Sequence, residues 1–501
     1  MSLLGIDVGT TGTKAVAFSL EGEIITSAYR EYPLLEPRPG WLELDPYQVT
    51  SAIKEVISEV AHRTKRDPIR ALAVSAQGEA GVPLSRDGQI LYNSPISFDA
   101  RTRETAIWWK ELISPEETFH ISGMALHPMH TILKLIWLKE NEPKVFGRLY
   151  KFLCFEEYTY YLLGTDPVTD YSLAARTMAF DIRQKEWSKK LLEVAGIDEE
   201  ILPEVKPSGT VIGRVSRGVA EELGLPNRVE VVTGGHDQPC NALGSGIITG
   251  RMAAWGTGTT DCITPAFDRP IPSEGMFRNN FSCYPHVVPG LYTTVAFNYT
   301  GGSLLRWYRD NFAMEETLLA NKRGVDPYEI ILEKLPEKPS SVMILPHFTI
   351  SGTPYFDTKT KGAMLGLTLG TRREEIVKAI LEGTTFEMKL NVELLEGSGV
   401  PIDNMRATGG GAKSVEWIQL KADITGKPVS SLYVSEAGAL GTAILAGVAI
   451  GAYDSIDSAV RNLVKVKRTF EPDREKNKIY EEKFHIYKQI YPAIREISYR
   501  L

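Results

Sequence analysis

The chain has 501 residues, of which 43% are hydrophobic and 24% charged, values typical of a folded globular protein with two to four domains. They exclude a disordered, collagen-like or fibrous chain, and the formal charge of −7 disfavours a nucleic-acid partner. The scattered cysteines contain no Cys-x-x-Cys pair and are typical of free thiols in a reducing compartment. The longest apolar run, residues 437–453, is shorter than the roughly 20 residues that span a bilayer. With no recognisable signal peptide, we expect a cytoplasmic protein without a membrane partner.

The N-terminal half has the pattern of an α/β domain. Three strands separated by two short turns predict an antiparallel meander, which is followed by an amphipathic helix and a buried strand. Helical periodicity then dominates until a further buried strand precedes Gly234-Gly235-His236-Asp237. The predicted elements are strands Leu3–Ile6, Lys14–Ser19, Ile24–Glu31, Ala71–Ser75 and Val229–Val232, helix Pro46–Arg63, and helical segments within 114–163 and 187–195.

The second half begins with an echo of the first. Residues 252–261 read MAAWGTGTTD, an apolar strand followed by a Gly/Thr turn, as does GIDVGTTGTKA near the N-terminus. An echo at half-chain spacing is what a duplicated domain leaves behind. We therefore expect domains at 1–245 and 246–501 with a cleft between them. Further predicted elements are strand Val342–Leu345, helices Glu374–Leu395 and Val415–Ile424, a Gly/Ala-rich helix from Ala437, and a surface helix from Arg474.

Each half carries a Gly/Thr turn suited to phosphate. In Asp7–Lys14, glycine lets backbone amides approach a phosphate, threonine hydroxyls add donors, and an aspartate is able to hold hydrated Mg²⁺. Gly256–Thr260 offers similar donors. Either turn alone is equally consistent with a ligand-free hairpin. Two such turns facing each other across a cleft would clamp one polyphosphate.

Two further segments are candidates for chemistry. Thr408–Ser414 contains three consecutive glycines between a predicted strand and helix, where a ring or ribose is able to lie against the backbone. A plain turn with positive φ is the alternative, and neither a GxGxxG nor a P-loop spacing is present. Asp237 at the mouth of the cleft suits a general base, with a helix N-cap as the alternative. His127 and His130 lack the further ligands that a zinc site needs.

The sequence resembles the FGGY carbohydrate kinases, a branch of the actin-like superfamily, from end to end. The resemblance rests on two family signatures, at Met129–Asn141 and Gly362–Glu382, in the expected order and together with the phosphate turns. It implies an α/β fold of two duplicated actin-like, ribonuclease H-like domains with an ATP cleft between them.

The resemblance also implies roles for individual residues. Asp237 matches the catalytic base, and Asp7 with Asp237 would lie at Mg²⁺. The expected partners of sugar hydroxyls are Gln77, Glu79, Asp99 and Asp237. The expected ATP ligands are Thr10, Thr11, Lys14, Gly256, Thr257, Thr259, Gly301, Gly302, Gly410, Gly411 and Ala412.

The sugar is less well specified. Gly78-Glu79 stands where glycerol kinases have an arginine and xylulokinases usually have Met-His, and Gly352-Thr353-Pro354 also departs from xylulokinases. Ribulokinases are typically longer. We expect ATP-dependent phosphorylation of a ketopentose or ketohexose resembling xylulose, ribulose or fuculose. A glycerol or other polyol kinase, an actin-like ATPase and an inactive sugar sensor are the alternatives. The partner is a small-molecule sugar, and a homodimer is a candidate assembly.

Overall fold

The computed structural model describes residues 1–501 as an α/β protein built from two similar halves. The strands of the N-terminal half are β1 (Ser2–Val8), β2 (Gly12–Ser19), β3 (Ile24–Glu31), β4 (Leu35–Arg38), β5 (Trp41–Leu44), β6 (Ile69–Ala76), β7 (Gly81–Leu84), β8 (Ser94–Pro95), β9 (Lys151–Cys154), β10 (Val168–Asp170), β11 (Phe180–Asp181), β12 (Glu186–Trp187), β13 (Glu204–Lys206), β14 (Val211–Arg214) and β15 (Glu230–His236). Its helices are α1 (Pro46–Arg63), α2 (Arg103–Leu112), α3 (Pro115–Ser122), α4 (Thr131–Asn141), α5 (Pro143–Phe146), α6 (Phe155–Leu162), α7 (Tyr171–Arg176), α8 (Lys189–Ala195), α9 (Arg217–Leu223) and α10 (Asp237–Gly244), with a 3-10 turn at Glu199–Ile201.

The C-terminal half follows with fewer strands and longer helices. Its strands are β16 (Met252–Thr257), β17 (Asp261–Phe267), β18 (Tyr284–Pro285), β19 (Tyr292–Thr293), β20 (Ala296–Asn298), β21 (Met343–Leu345), β22 (Ala363–Leu365), β23 (Asn404–Thr408), β24 (Val429–Leu432) and β25 (Val466–Phe470). Its helices are α11 (Glu274–Arg278), α12 (Gly302–Phe312), α13 (Met314–Arg323), α14 (Pro327–Leu332), α15 (Arg373–Gly397), α16 (Val415–Thr425), α17 (Ala437–Ala449), α18 (Ile456–Leu463) and α19 (Arg474–Ser498), with a 3-10 turn at Gly410–Lys413.

The two central sheets have the same strand order and the same strand directions. In the first, the order is β14-β15-β6-β1-β2-β3, with β1, β6 and β15 parallel and the other neighbours antiparallel. In the second, β25-β24-β23-β16-β17 repeats this arrangement, and β20 takes the place of β3. The prediction of a duplicated α/β domain is therefore confirmed. The boundary at residue 245 falls between α10 and β16 and stays a prediction.

Two helices join the halves. Each follows the last parallel strand of its sheet: α10 follows β15 and α17 follows β24. A Cβ atom on Gly244 would lie 1.8 Å from the Ala437 carbonyl oxygen, and one on Gly441 would lie 2.0 Å from that of Cys240. The two helix backbones are thus in direct contact. Helix α17 also packs on β1, β6 and β15, so a helix of the second half covers the sheet of the first.

Most predicted elements are present, and α1 has the predicted bounds. Two differences concern the site. The helical region 114–163 is interrupted by β9, whose pairing partner β7 lies far away in sequence. Strand β15 continues to His236 rather than ending at Val232, because a register shift at Gly235 carries it past the glycine pair. None of the helices is long and apolar enough to cross a membrane.

Candidate active site

A cavity of about 600 Å³ opens between the two halves. From the first half it is lined by Thr10 and Thr11 after β1, by residues 77–79 after β6, and by Asp237 after β15. These strands are parallel and end at one edge of the sheet, the usual ligand position in such sheets. From the second half it is lined by Thr259 and Thr260 after β16 and by residues around β20. The duplicated fold thus brings both Gly/Thr turns to one cleft.

A smaller cavity of about 210 Å³ lies beside the first. Its lining includes Asp7 and Lys14 from the first half and Gly409 and Glu436 from the second. Asp237 lines both cavities. Its carboxylate therefore stands where the two spaces meet.

Asp237 is the first residue of α10, and its Oδ1 atom is buried without a hydrogen bond. Burial raises its pKa to about 7, and the negative charges of Asp7 and Glu79 act in the same direction. His236 occupies the N-cap position, so the alternative interpretation of Asp237 as an N-cap is wrong. The His236 Nε2 atom lies 3.1 Å from Oδ1, and burial lowers the pKa of this imidazole to about 3, which keeps it neutral.

Asp7 lies at the end of β1 with one oxygen engaged. Its Oδ1 atom accepts a hydrogen bond of 2.8 Å from the Ser75 hydroxyl. Burial raises the pKa of Asp7, against the opposing effects of this hydrogen bond and of the Lys14 charge. Two carboxylates whose pKa values are raised, facing one small cavity, are typical of a site that receives a cation or a proton.

The first Gly/Thr turn is held by its own half and linked to the other. Thr10 donates a 2.8 Å hydrogen bond to Gln77 Oε1, and the Gln77 amide donates to the Gly9 carbonyl at 3.2 Å. Thr11 is exposed toward the cleft. Lys14 forms a 2.8 Å ion pair with Glu436 of the second half. Contacts with both halves therefore hold the turn in place.

Two buried charged residues, Asp261 and Lys421, hold the second Gly/Thr turn in place. The Thr257 hydroxyl donates to Asp261 Oδ1 at 2.9 Å and accepts from Lys421, so it points into the protein rather than the cleft. The Trp255 indole donates to the same carboxylate oxygen at 2.7 Å, and the Lys421 ammonium lies 4.2 Å from the Trp255 ring centroid. Of the residues predicted in this turn, Thr259 lines the cavity, whereas the hydroxyl of Thr257 has a structural contact.

The predicted glycine loops converge on this turn. The Gly301 and Gly302 amides donate to the carbonyls of Thr259 and Gly258 at 2.9 and 2.8 Å. On its other side, a Cβ atom on Gly411 would lie 2.6 Å from Thr257 Cγ2, whereas one on Gly410 would meet nothing within 4 Å. The structure thus assembles Gly256, Thr257, Thr259, Gly301, Gly302, Gly410, Gly411 and Ala412 in one region.

Glu79 is a buried residue that lines the larger cavity. Its carboxylate accepts 2.5 Å hydrogen bonds from Ser97 Oγ and Arg176 Nε. Burial alone would raise the pKa of Glu79, but the charge of Arg176 and the other nearby groups lower it to about 2. Its φ of 66° is in the left-handed region, which a glutamate rarely occupies.

Asp99 is not brought to the cavity. Its Oδ1 atom accepts from Arg101 Nε at 2.7 Å and its Oδ2 atom accepts from the Leu42 amide at 2.6 Å. Arg101 also contacts Glu43, which completes a buried charged cluster behind the cavity wall. We therefore withdraw the expectation that Asp99 binds a sugar hydroxyl. The family resemblance placed it near the site, and its neighbours Ser97 and Phe98 do line the cavity.

Sequence reasoning missed Arg176, Lys421 and Glu436. Arg176 neutralises Glu79, Lys421 supports the second turn, and Glu436 pairs with Lys14. Each is separated from its partner by between 97 and 422 positions. An unpaired buried charge is costly, so a buried Glu79 does require a cation nearby. The sequence does not show which of the many lysines and arginines supplies it.

Comparison with known proteins identifies the family. The family model for the N-terminal domain of the FGGY family of carbohydrate kinases matches residues 2–244, and the family model for the C-terminal domain matches residues 253–450. The chain belongs to the FGGY family of carbohydrate kinases. Family membership makes it an ATP-dependent sugar phosphotransferase, so the alternatives of a non-kinase ATPase and an inactive sensor are not retained.

Several relatives are similar over nearly their whole length. A xylulose kinase from Bacillus subtilis is 27% identical in an alignment that covers 99% of this chain and 98% of the relative's chain. An autoinducer-2 kinase from Yersinia enterocolitica is 30% identical, covering 96% and 92%. A ligand-bound xylulose kinase structure from Lactobacillus acidophilus superposes with a TM-score of 0.89 at 25% identity, covering 99% and 98%. The match confirms the two-domain actin-like fold.

Proposed function

We propose that the enzyme phosphorylates a primary hydroxyl of a ketopentose or ketohexose. One observation carries this proposal: Asp237, whose Oδ1 atom accepts no hydrogen bond although His236 Nε2 lies 3.1 Å away, lines both interdomain cavities, and residues of the two Gly/Thr turns line the larger one. Relatives named as xylulose kinases support a ketose acceptor.

In the proposed mechanism, Asp237 accepts the proton of the attacking sugar hydroxyl. A general base works best when its pKa lies near the operating pH, and the pKa of Asp237 is raised to about 7. Phosphoryl transfer is largely dissociative, so orientation of the hydroxyl by the carboxylate matters at least as much as removal of the proton. The neutral His236 beside it adds no positive charge that would lower this pKa.

Asp7 and Asp237 fit a magnesium site. Mg²⁺ prefers hard oxygen ligands and is usually held by one or two carboxylates together with substrate phosphates. The two aspartates line one cavity, and the protein has no cluster of three or more acidic, histidine or cysteine ligands that would form a separate metal cage. Mg²⁺ bound there would offset the negative charge of the ATP phosphates.

The ATP phosphates are proposed to lie between the two turns. Backbone amides and the Thr10 and Thr11 hydroxyls would contact them from the first half, and Thr259 from the second. Lys14 is close enough to the smaller cavity to exchange its ion pair with Glu436 for a phosphate. The nucleoside is proposed to lie along Gly301–Gly302 and Gly410–Ala412, where Gly410 leaves open space.

Gln77 and Glu79 are proposed to face the sugar. Both line the larger cavity, and Glu79 is held in place by Arg176 and Ser97. A carboxylate that already accepts two hydrogen bonds still has lone pairs with which to accept another from a sugar hydroxyl. Asp99 supports the wall through Arg101 instead.

A coupled ADP-release screen tests this proposal. The panel contains pentuloses, hexuloses, glycerol and other polyols, and aldonic acids, each with Mg-ATP. We expect kcat/KM to be highest for one ketose. A clear preference for glycerol or another polyol would contradict the ketose assignment and favour the polyol alternative.

A further inference from the structure

Arg176 is the only lysine or arginine that lines the larger cavity. It is the last residue of α7, and its guanidinium contacts Glu79, 97 positions earlier in the chain. The side chain of Arg176 is 12% exposed and that of Glu79 is 3% exposed, so both are largely withdrawn from bulk water. The cavity therefore contains a buried cation and a buried anion side by side.

The glycine that precedes Glu79 leaves room for this guanidinium. A Cβ atom on Gly78 would lie 3.2 Å from Arg176 Nε and 3.3 Å from Arg176 Cγ, which is tighter than an ordinary van der Waals contact. A side chain at position 78 would therefore push the guanidinium away from Glu79. With glycine there, the guanidinium lies directly against the backbone.

The backbone of Glu79 is fixed by further contacts. Its φ of 66° is in the left-handed region, a conformation that persists only where the surrounding structure enforces it. The Thr131 hydroxyl and the buried Lys134 ammonium both donate to the Glu79 carbonyl, at 3.0 and 3.1 Å. Lys134 also donates to the Pro95 carbonyl at 2.9 Å. These contacts fix the segment that carries the carboxylate.

Part of the Arg176 guanidinium has no oxygen acceptor. Its Nε and Nη2 atoms contact the Glu79 carboxylate. Its Nη1 atom has only the Met124 sulfur as an acceptor, at 3.7 Å, and Nη2 also contacts the Met129 sulfur at 3.5 Å. A guanidinium has five N–H donors, and a thioether sulfur is a weak acceptor. A buried charged donor without a good acceptor costs free energy, which an oxygen atom of a bound substrate would recover.

Glu79 and Arg176 together match the hydrogen-bonding capacity of a hydroxyl group. Burial acts to raise the pKa of Glu79, but Arg176 and other nearby charges bring it to about 2, so the carboxylate is ionised and only accepts. The guanidinium only donates. A sugar hydroxyl does both, because it donates its proton to one group while its oxygen accepts from another. A methyl group satisfies neither residue, and a carbonyl oxygen satisfies only Arg176.

We propose that Arg176 is a specificity-determining residue, which together with Glu79 binds one sugar hydroxyl other than the hydroxyl that is phosphorylated. This bridging hydroxyl donates to Glu79, and its oxygen accepts from Arg176 Nη1. The hydroxyl that is phosphorylated lies at Asp237. The inference rests on the proposed function, and it assigns to Arg176 a direct contact with the substrate.

Analogues of the best ketose test the inference. That ketose is the one with the highest kcat/KM in the ADP-release screen, and each analogue lacks one hydroxyl other than the one that is phosphorylated. We expect one analogue to be poorer in kcat/KM by about a hundredfold or more, because both charged groups are then left without a partner. If no analogue is poorer by more than about tenfold, the inference is wrong while the proposed function stands. Absence of turnover with every ketose contradicts both.

Substitution of Arg176 identifies the residue responsible. Arg176→Lys keeps a positive charge for Glu79 but removes the forked donors. It should lower kcat/KM for the parent sugar by about tenfold to a hundredfold and change it little for the analogue that lacks the bridging hydroxyl. The discrimination then falls at one carbon alone. A purely structural role of Arg176 would lower kcat/KM for every sugar by the same factor, and this result would overturn the inference.

Two further variants complete the test. Met124→Leu removes a sulfur contact of Arg176 with little change in volume and should leave the ratios between sugars within about twofold. The same loss of discrimination as in Arg176→Lys would contradict the inference, because the sulfur would then be the partner that matters. If Arg176→Lys does not fold, the double variant Glu79→Ala, Arg176→Met gives the same readout without a buried charge. It should lose the preference at the same carbon, and a preserved preference would contradict the inference.

Discussion

Asp237 acquires its chemistry from its surroundings. An exposed aspartate is ionised at neutral pH and solvated by water, whereas partial burial of Asp237 and the negative charges of Asp7 and Glu79 raise its pKa to about 7. The pattern Gly-Gly-His-Asp pointed to the residue. The environment that tunes it depends on partners that are distant in sequence.

Asp237→Asn should lower kcat far more than it weakens the binding of Mg-ATP, since Asp7 and the Gly/Thr turns would still hold the metal and the phosphates. Asparagine keeps the shape but does not accept a proton, and loss of a positioned base costs about 10²–10⁴ in rate. Because the transfer is largely dissociative, we expect kcat to fall toward the lower part of that range. The measurement is kcat together with the Kd for Mg-ATP on the folded variant. A kcat within a few-fold of the parent would remove Asp237 as the base.

The Glu79–Arg176 pair should behave as a unit. Glu79→Ala leaves the buried Arg176 charge uncompensated, which typically destabilises a protein by about 3–5 kcal/mol. The double variant Glu79→Ala, Arg176→Met removes both charges and should recover much of that loss, and Arg176→Met is the second single variant. Urea denaturation of the parent, single and double variants measures the effect. Additive losses in the double variant would show that the two charges do not stabilise each other.

Glu156 and Glu157 should make stability pH-dependent. Burial raises the pKa of both carboxyls, for Glu157 from 4.5 to about 7. Between these values the folded protein binds more protons than the unfolded chain, so the free energy of unfolding falls as pH rises. Glu157→Gln should flatten this slope between pH 4.5 and 7, whereas the exposed-site control Glu199→Gln should not. Equal slopes in parent and Glu157→Gln would contradict the shift.

At the scale of elements, the crossing of α10 and α17 depends on glycine. The Cβ atom introduced by Gly441→Ala would lie 2.0 Å from the Cys240 carbonyl, and we expect a destabilisation of about 3 kcal/mol or more. Gly397→Ala at the end of α15 is the control, because a Cβ there meets nothing within 4 Å. It should be neutral or slightly stabilising. Thermal unfolding of both variants checks this, and equal Tm values would show that the helices move apart freely.

Elements with strong local signals were predictable from sequence. Apolar periodicity placed α1 to the residue, and the repeated Gly/Thr turns indicated two related domains. Strand β9 was missed because its pairing with β7 is long-range. Asp99 was misplaced because the Leu42 amide, 57 positions away, and the neighbouring Arg101 hold its carboxylate away from the cavity.

At the scale of the whole molecule, the two halves are linked on both sides of the cleft. The α10–α17 crossing joins them at the base, and the Lys14–Glu436 ion pair and the Phe98–Tyr299 contact join them beside the cavities. Movement of the halves about the helix crossing would change the distance between the Gly/Thr turns. Closure around both substrates would exclude water from the transferring phosphoryl group.

The central claim is that phosphoryl transfer requires a sugar in this cleft, and ADP release with and without the sugar tests it most directly. With Mg-ATP alone, we expect ADP release to be slow, because the cleft is not closed around an acceptor. Addition of the best ketose from the screen should raise the rate many-fold, with one sugar phosphate formed per ADP. Equal rates of ADP release with and without the sugar would contradict the account.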